Sequence, residues 1–215
     1  MGEFRRFGSL LALALIAAAA PARADFHMML IVEFFSGSAA APDAQYVVLQ
    51  MHAAGQSNLA AHPMRFFNAS GQSLGTASFG TISNDADDAR ILIATSTAEA
   101  LFGLEADLQV PVELATAGGK VCFDTVDCFA WGTYSPDDAT VGTPFSELAP
   151  GAAARRAFTP PLDATDDTND CEDDFVADDP APVNNAGEVG EANPDAVFLD
   201  GFDDGTLNDW SAFEP

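Results

Sequence analysis

Hydrophobic positions in this chain come in short runs separated by turn residues, a pattern of strands more than of helices. Residues 26–35, Phe-His-Met-Met-Leu-Ile-Val-Glu-Phe-Phe, read as a buried strand. Residues 45–53, Gln-Tyr-Val-Val-Leu-Gln-Met-His-Ala, read as a second. Ser36–Asp43 between them is rich in Gly, Ala and Pro and reads as a loop. Met64–Asn68 and Leu74–Phe79 flank Ala69-Ser70-Gly71-Gln72, which has the composition of a hairpin turn. Arg90–Thr95 contains Ile-Leu-Ile and predicts another strand. Thr97–Gly103 has helical spacing and stops at a glycine. Lys120–Asp124 and Asp127–Thr133 predict a further hairpin, and Ala153–Phe158 a last strand. Many short strands with little helix predict an all-β sandwich or barrel.

After about Pro160 the pattern fades. Asp163–Asp179 holds eight Asp and one Glu with few apolar residues. Pro180–Pro194 is rich in Pro, Asn, Gly and Ala and reads as a linker. The remaining stretch to Pro215 is too short to fold alone.

The N-terminus changes the picture. Arg5 and Arg6 precede an uncharged, Leu- and Ala-rich run, and Pro21-Ala22-Arg23-Ala24 follows with small residues at the positions a signal peptidase reads. That is the order of a secretory signal, with Ala22 and Ala24 marking cleavage after residue 24. The run is short for a bilayer span. The expected organisation is therefore a signal peptide over 1–24, a domain over 25–187, and a linker with an acidic tail over 188–215. The expected location is outside the cytoplasm, with no transmembrane segment after cleavage.

Charge narrows the partners. The chain has 8 basic and 33 acidic side chains. Cleavage removes three of the former and one of the latter, so 5 and 32 remain, a formal charge of −27. Such a surface repels phosphate backbones, which excludes nucleic acid as a partner, and attracts cations.

Three cysteines remain, Cys122, Cys128 and Cys171. Export places them in an oxidising compartment. A turn centred on Thr125 sets Cys122 opposite Cys128, at a separation that suits a disulfide. Cys171 is left as a free thiol or an intermolecular link.

Several segments together resemble a known family. They are Ile31-Val-Glu-Phe-Phe35 with Gln45-Tyr-Val-Val-Leu49, and Ile91-Leu-Ile-Ala-Thr-Ser96 before a short helix. Gly118–Asp124 with Asp127–Gly132 forms the late hairpin, and Arg155-Arg156, Asp166–Asn169, Asp174-Phe175 and Pro180–Asn185 the closing segment. The pattern resembles bacterial lamin tail domains over about residues 28–187. The chain departs from it at Val48, where the family usually has Glu, and over Asn58–Phe67, which lacks the family's usual Gly-Trp. The resemblance implies an immunoglobulin-like β-sandwich, export, and a role in binding or attachment with no catalytic residues. It also implies that Phe175 pins the acidic segment back on the sandwich. Phe198, Asp200-Gly201-Phe202, Gly205, Leu207 and Trp210-Ser211 resemble a short C-terminal tag of exported proteobacterial proteins; a flexible acidic tail is the plainer reading.

Candidate chemistry is sparse. Gly71-Gln72-Ser73-Leu74-Gly75 matches the hydrolase elbow pattern, but it sits in a predicted hairpin and no His follows His62. His27 and His52 lie on neighbouring predicted strands and, with Glu33, form a transition-metal candidate; packed or solvated histidines are the alternative. Asp166, Asp167, Asp170, Asp173 and Asp174 form a Ca²⁺ candidate without EF-hand spacing, and a solvated loop explains the same charges. Trp131 alternates with Phe129 and belongs in the core, though with Tyr134 it could line a binding surface; Trp210 is the exposed anchor. These readings lead to an exported, non-catalytic binding or attachment module for an unknown protein or cell-surface ligand, with no cofactor, or Ca²⁺ at most. A Ca²⁺-stabilised structural or adhesion domain and a hydrolase with a dispersed site stand as alternatives.

Overall fold

The computed structural model describes residues 26–146 and 148–192. The expected signal peptide with Ala22 and Ala24, and the tail with Trp210, lie outside the described residues. The strands in chain order are β1 (Met29–Phe35), β2 (Tyr46–Met51), β3 (Met64–Asn68), β4 (Ser73–Ala77), β5 (Arg90–Ala94), β6 (Leu108–Gln109), β7 (Gly118–Phe123), β8 (Asp127–Gly132), β9 (Ala153–Arg156) and β10 (Phe175–Asp178). The helices are α1 (Ser96–Phe102) and the single turn α2 (Cys171–Asp174). One sheet runs β10-β9-β1-β2-β5-β6 and the other β4-β3-β7-β8. The chain is an all-β, two-sheet sandwich, as its pattern predicts.

The inner faces share one core. Ile31, Phe34, Val47, Leu49, Ile91 and Ile93 of the six-stranded sheet meet Phe66, Val121, Phe123, Phe129 and Trp131 of the four-stranded one. Trp131 lies 4.3 Å from Phe34 between ring centroids, and its Nε1 donates to the Ala115 carbonyl. Gly119 stands opposite Trp131 in the β7–β8 register. A Cβ there would sit 2.8 Å from the indole, so only glycine admits this ring.

The six-stranded sheet is covered on its other side as well. Leu30, Val32, Phe35, Tyr46, Val48 and Leu92 pack under Ala98, Leu101 and Phe102 of α1. Thr95 caps α1 by accepting from the Ala98 amide, and Gly103 ends it in the left-handed conformation, φ 60°. Burial on both faces explains why β1 and β2 read as unbroken apolar runs instead of alternating. A bulge in β1 between Ile31 and Glu33 shifts the facing, so Glu33 turns to the helix-covered side. There it takes hydrogen bonds from the Tyr46 hydroxyl and, at 2.7 Å, the Ala181 amide.

The linker expectation over 180–194 is corrected as far as residue 190. This stretch is a strap laid over the sandwich. The Asn185 side chain donates to the carbonyls of Asn84 and Arg90, and its backbone amide donates to Asp107. Val183 bridges to Val189, and Gly190 packs against Phe102 and Leu104. The backbone bonding of the strap runs as far as Gly190, whose amide donates to the Pro182 carbonyl. Among the described residues no helix is long and apolar enough to cross a membrane.

Candidate functional site

Two groups of charged side chains stand out, one sealed and one open. The sealed group surrounds Arg156 of β9, whose side chain is fully buried. β9 pairs with β1 only over Glu33–Phe35, so the Ile31 amide and carbonyl face no strand there. Side chains replace the missing ladder. The Asp127 Oδ2 accepts the Ile31 amide at 2.7 Å, and Arg156 Nε donates to the Ile31 carbonyl at 2.7 Å. Arg156 Nη2 donates to Asp127 Oδ2 at 2.7 Å. Its Nη1 reaches the Asp166 carbonyl at 2.9 Å, Asp174 Oδ2 at 3.4 Å and Asp167 Oδ1 at 3.5 Å. The guanidinium lies 4.7 Å over the Phe175 ring. Burial pushes the Asp127 carboxyl up to about 6, against the pull of Arg156. Its Oδ1 has no partner among the described residues.

This centre places most of the acidic segment. Asp174 also accepts from the Thr168 hydroxyl at 2.7 Å. Asp166 accepts from the Asp163 amide, and Asp170 from the Glu172 amide and the Thr143 hydroxyl. Asp167 accepts from the Asn169 amide, and Asp173 is exposed. Among the described residues, no three His, Cys, Asp or Glu side chains are grouped to hold a metal ion. Glu33 faces Tyr46 and Arg155. Cys171 is buried under this centre. Its sulfur accepts from the Ala130 amide at 3.3 Å, and burial pushes the thiol up to about 12. Ser73, the serine of the elbow-like pattern, opens β4 in a hairpin.

The open group lies on the outer face of the four-stranded sheet. Cys122 and Cys128 are disulfide-bonded across the β7–β8 pair, with Cα atoms 4.1 Å apart, as their spacing around Thr125 predicts. The same face carries Arg65 and Phe67 of β3 and Lys120 of β7. Phe67 is opposite Lys120 and Arg65 opposite Cys122, so the two cations occupy diagonal positions. With Asp124, Asp138 and Asn169 they line a cavity of about 250 Å³. Each cation has a fixed partner: Arg65 Nη2 donates to Asp124 at 2.7 Å, and Lys120 Nζ to Asp138 at 2.5 Å. The Lys120 ammonium also sits 4.7 Å over the Phe67 ring.

Electrostatics fix this geometry. Burial disfavours the charged Lys120, but hydrogen bonds to Asp138 and Tyr134 outweigh it and its pKa is raised. Burial likewise works against ionised Asp138, yet bonds from Lys120, Thr140 and Tyr134 hold that carboxyl well below its usual range. Asp124 is in addition 2.7 Å from His62 Nδ1. The sequence pattern singled out the disulfide here but not Arg65, Lys120, Asp124 or Asp138. Their proximity depends on the β3–β7 register, which no local spacing encodes.

A second cleft, about 590 Å³, lies between the 42–45 and 109–113 segments. It has no aromatic wall. Gln45 at its edge is committed to the Leu114 backbone at both ends of its carboxamide. Fold and site together define a disulfide-bonded, two-sheet sandwich with one pre-set concavity on an exposed sheet face. No protein-family model matches the chain, and no curated protein or solved structure matches it.

Proposed function

We propose that the chain is an exported, non-catalytic binding or attachment module of the immunoglobulin-like, lamin-tail-like kind, and that the outer face of its four-stranded sheet is the contact surface. The observation that carries this reading is the cavity beside the Cys122–Cys128 disulfide. Its charged walls are held by neighbours, so little ordering accompanies binding. The buried ionisable groups around Arg156 bridge strands and loops, and of its carboxylate partners Asp127 alone borders the cavity. An oxidising location fits the disulfide.

Two measurements test the reading. Mass spectrometry of chain recovered from outside the producing cells should find a polypeptide beginning at Asp25. A tagged mature chain should be retained on the envelope of those cells, and Arg65→Glu combined with Phe67→Ser should release it. Chain found only inside cells with its leader intact would refute export. Equal retention of the double variant would refute this face.

A further inference from the structure

We propose that the cavity on the four-stranded sheet binds a single neutral sugar ring of a glycan. The inference rests on the binding reading given above and names the class of ligand. Five basic side chains fall in the described residues. Arg155 pairs with Asp178 within the six-stranded sheet, Arg156 reaches across to Asp127 of the four-stranded one, and Arg90 donates to Gln50. The other two, Arg65 and Lys120, border this one cavity.

The unused bonding capacity of the walls suits a polyol. Asp138 accepts from Lys120, Tyr134 and twice from Thr140, which fills its four lone-pair sites and makes it a positioning group. Asp124 accepts two bonds and keeps two sites open. Arg65 uses one of its five N–H donors on Asp124, and its side chain is 41% exposed. Asn169 and Thr125, both in the lining, are exposed and offer a carboxamide and a hydroxyl. The walls thus keep both donors and acceptors, as hydroxyls that each donate and accept require. Phe67 supplies the apolar part of the wall, beside the Lys120 ammonium that covers one face of its ring. Asp124 and Asn169 both hold left-handed backbone, φ 46° and 57°, which fixes two wall residues at defined angles.

Size and charge select within that class. A volume of about 250 Å³ is below the range for drug-sized ligands, so one ring fits and a longer chain must leave the cavity. Both cations already face carboxylates, and the whole chain carries a formal charge of −25, which repels anions on approach. An acidic sugar or a free carboxylate is disfavoured on both counts.

The test is a titration of the isotope-labelled mature chain, followed by amide NMR shifts. The probes are the methyl glycosides of glucose, galactose and mannose, with sodium glucuronate and sodium acetate as charged counterparts. At least one neutral glycoside should give saturable shifts at residues 65–67, 120–128 and 169. Phe67→Ala and Arg65→Gln should each weaken that binding about tenfold, a difference of about 1.4 kcal/mol. Arg65→Gln guards against a folding artefact, because that side chain is 41% exposed and the variant's spectrum reports the fold directly.

The proposal is overturned if no neutral glycoside gives saturable shifts, if only the charged probes do, or if the shifts centre on residues 109–113. It is also overturned if binding survives both substitutions unchanged. The envelope-retention assay separates the two levels. Absent sugar binding with retention still lost in the double variant removes the sugar and leaves the binding face. Absent sugar binding with retention unchanged removes both.

Discussion

The two ionic groups of this domain use the same parts to opposite ends. Arg156 faces Asp127 and Asp174 where none of the three side chains is more than 4% exposed. Arg65 faces Asp124 at the rim of an open cavity, with 41% of its own side chain exposed. In the first setting each partner compensates a charge that could not otherwise be buried, so the group joins β1, β8, β9 and the acidic segment. In the second, water screens the pair, and it contributes little to folding. Charge pairing alone is therefore silent about role. Burial decides whether a pair fastens the fold or stays open to solvent.

Substitution at the sealed centre should give the largest effect. Arg156→Met leaves Asp127 and Asp174 buried without a counter-charge, and it should cost about 3–5 kcal/mol in denaturant unfolding. A loss near zero would mean that the acidic segment is held by something else.

Removing the disulfide comes next. Cys122→Ala with Cys128→Ala should cost about 2 kcal/mol, since the bond closes a short loop. The comparison sharpens if the double variant also loses glycoside binding, because the disulfide lines the cavity.

Acid should separate the two groups by sign. The folded Asp127 carboxyl, at about 6, lies above its unfolded value of about 3.9. The folded state then binds the proton more tightly, so stability rises as pH falls from about 6 to about 4, by a maximum of about 3 kcal/mol. Asp127→Asn should abolish that rise in a melting series. Asp138 is shifted the other way, so its contribution is present above pH ~4 and is lost only below that value. Asp138→Asn should therefore flatten the more acidic limb alone.

The smallest effect belongs to the rim. Arg65→Gln should change stability by less than about 1 kcal/mol, within the range of exposed pairs. A larger loss would place Arg65 with the fasteners.

The hairpins were legible because each carries alternating residues around a turn, and the cysteines sit symmetrically about Thr125. β3 matches its predicted span, Met64–Asn68. β10 was missed for a physical reason: only Phe175 is buried, and the next three residues of this edge strand are exposed. The strap was misread because prolines and asparagines signal flexibility in composition. Here the Asn184 and Asn185 side chains supply the bonds that hold it. The bulge in β1 was invisible because apolar residues stand on both sides of it. The open cavity depends on residues from β3, β7 and the loops around Asp138 and Asn169, so only the folded register assembles it.

The place of β1 in its sheet has a temporal consequence. β1, the earliest strand of the described residues, lies between β9 and β2, two strands from the edge formed by β10. Its carbonyl at Ile31 waits for Arg156, 125 positions later, and its Glu33 for Ala181, 148 positions later. Closing such long loops is slow. A growing chain thus stays open along this seam until almost the whole domain has been synthesised, and its assembly is led by its last-made segments.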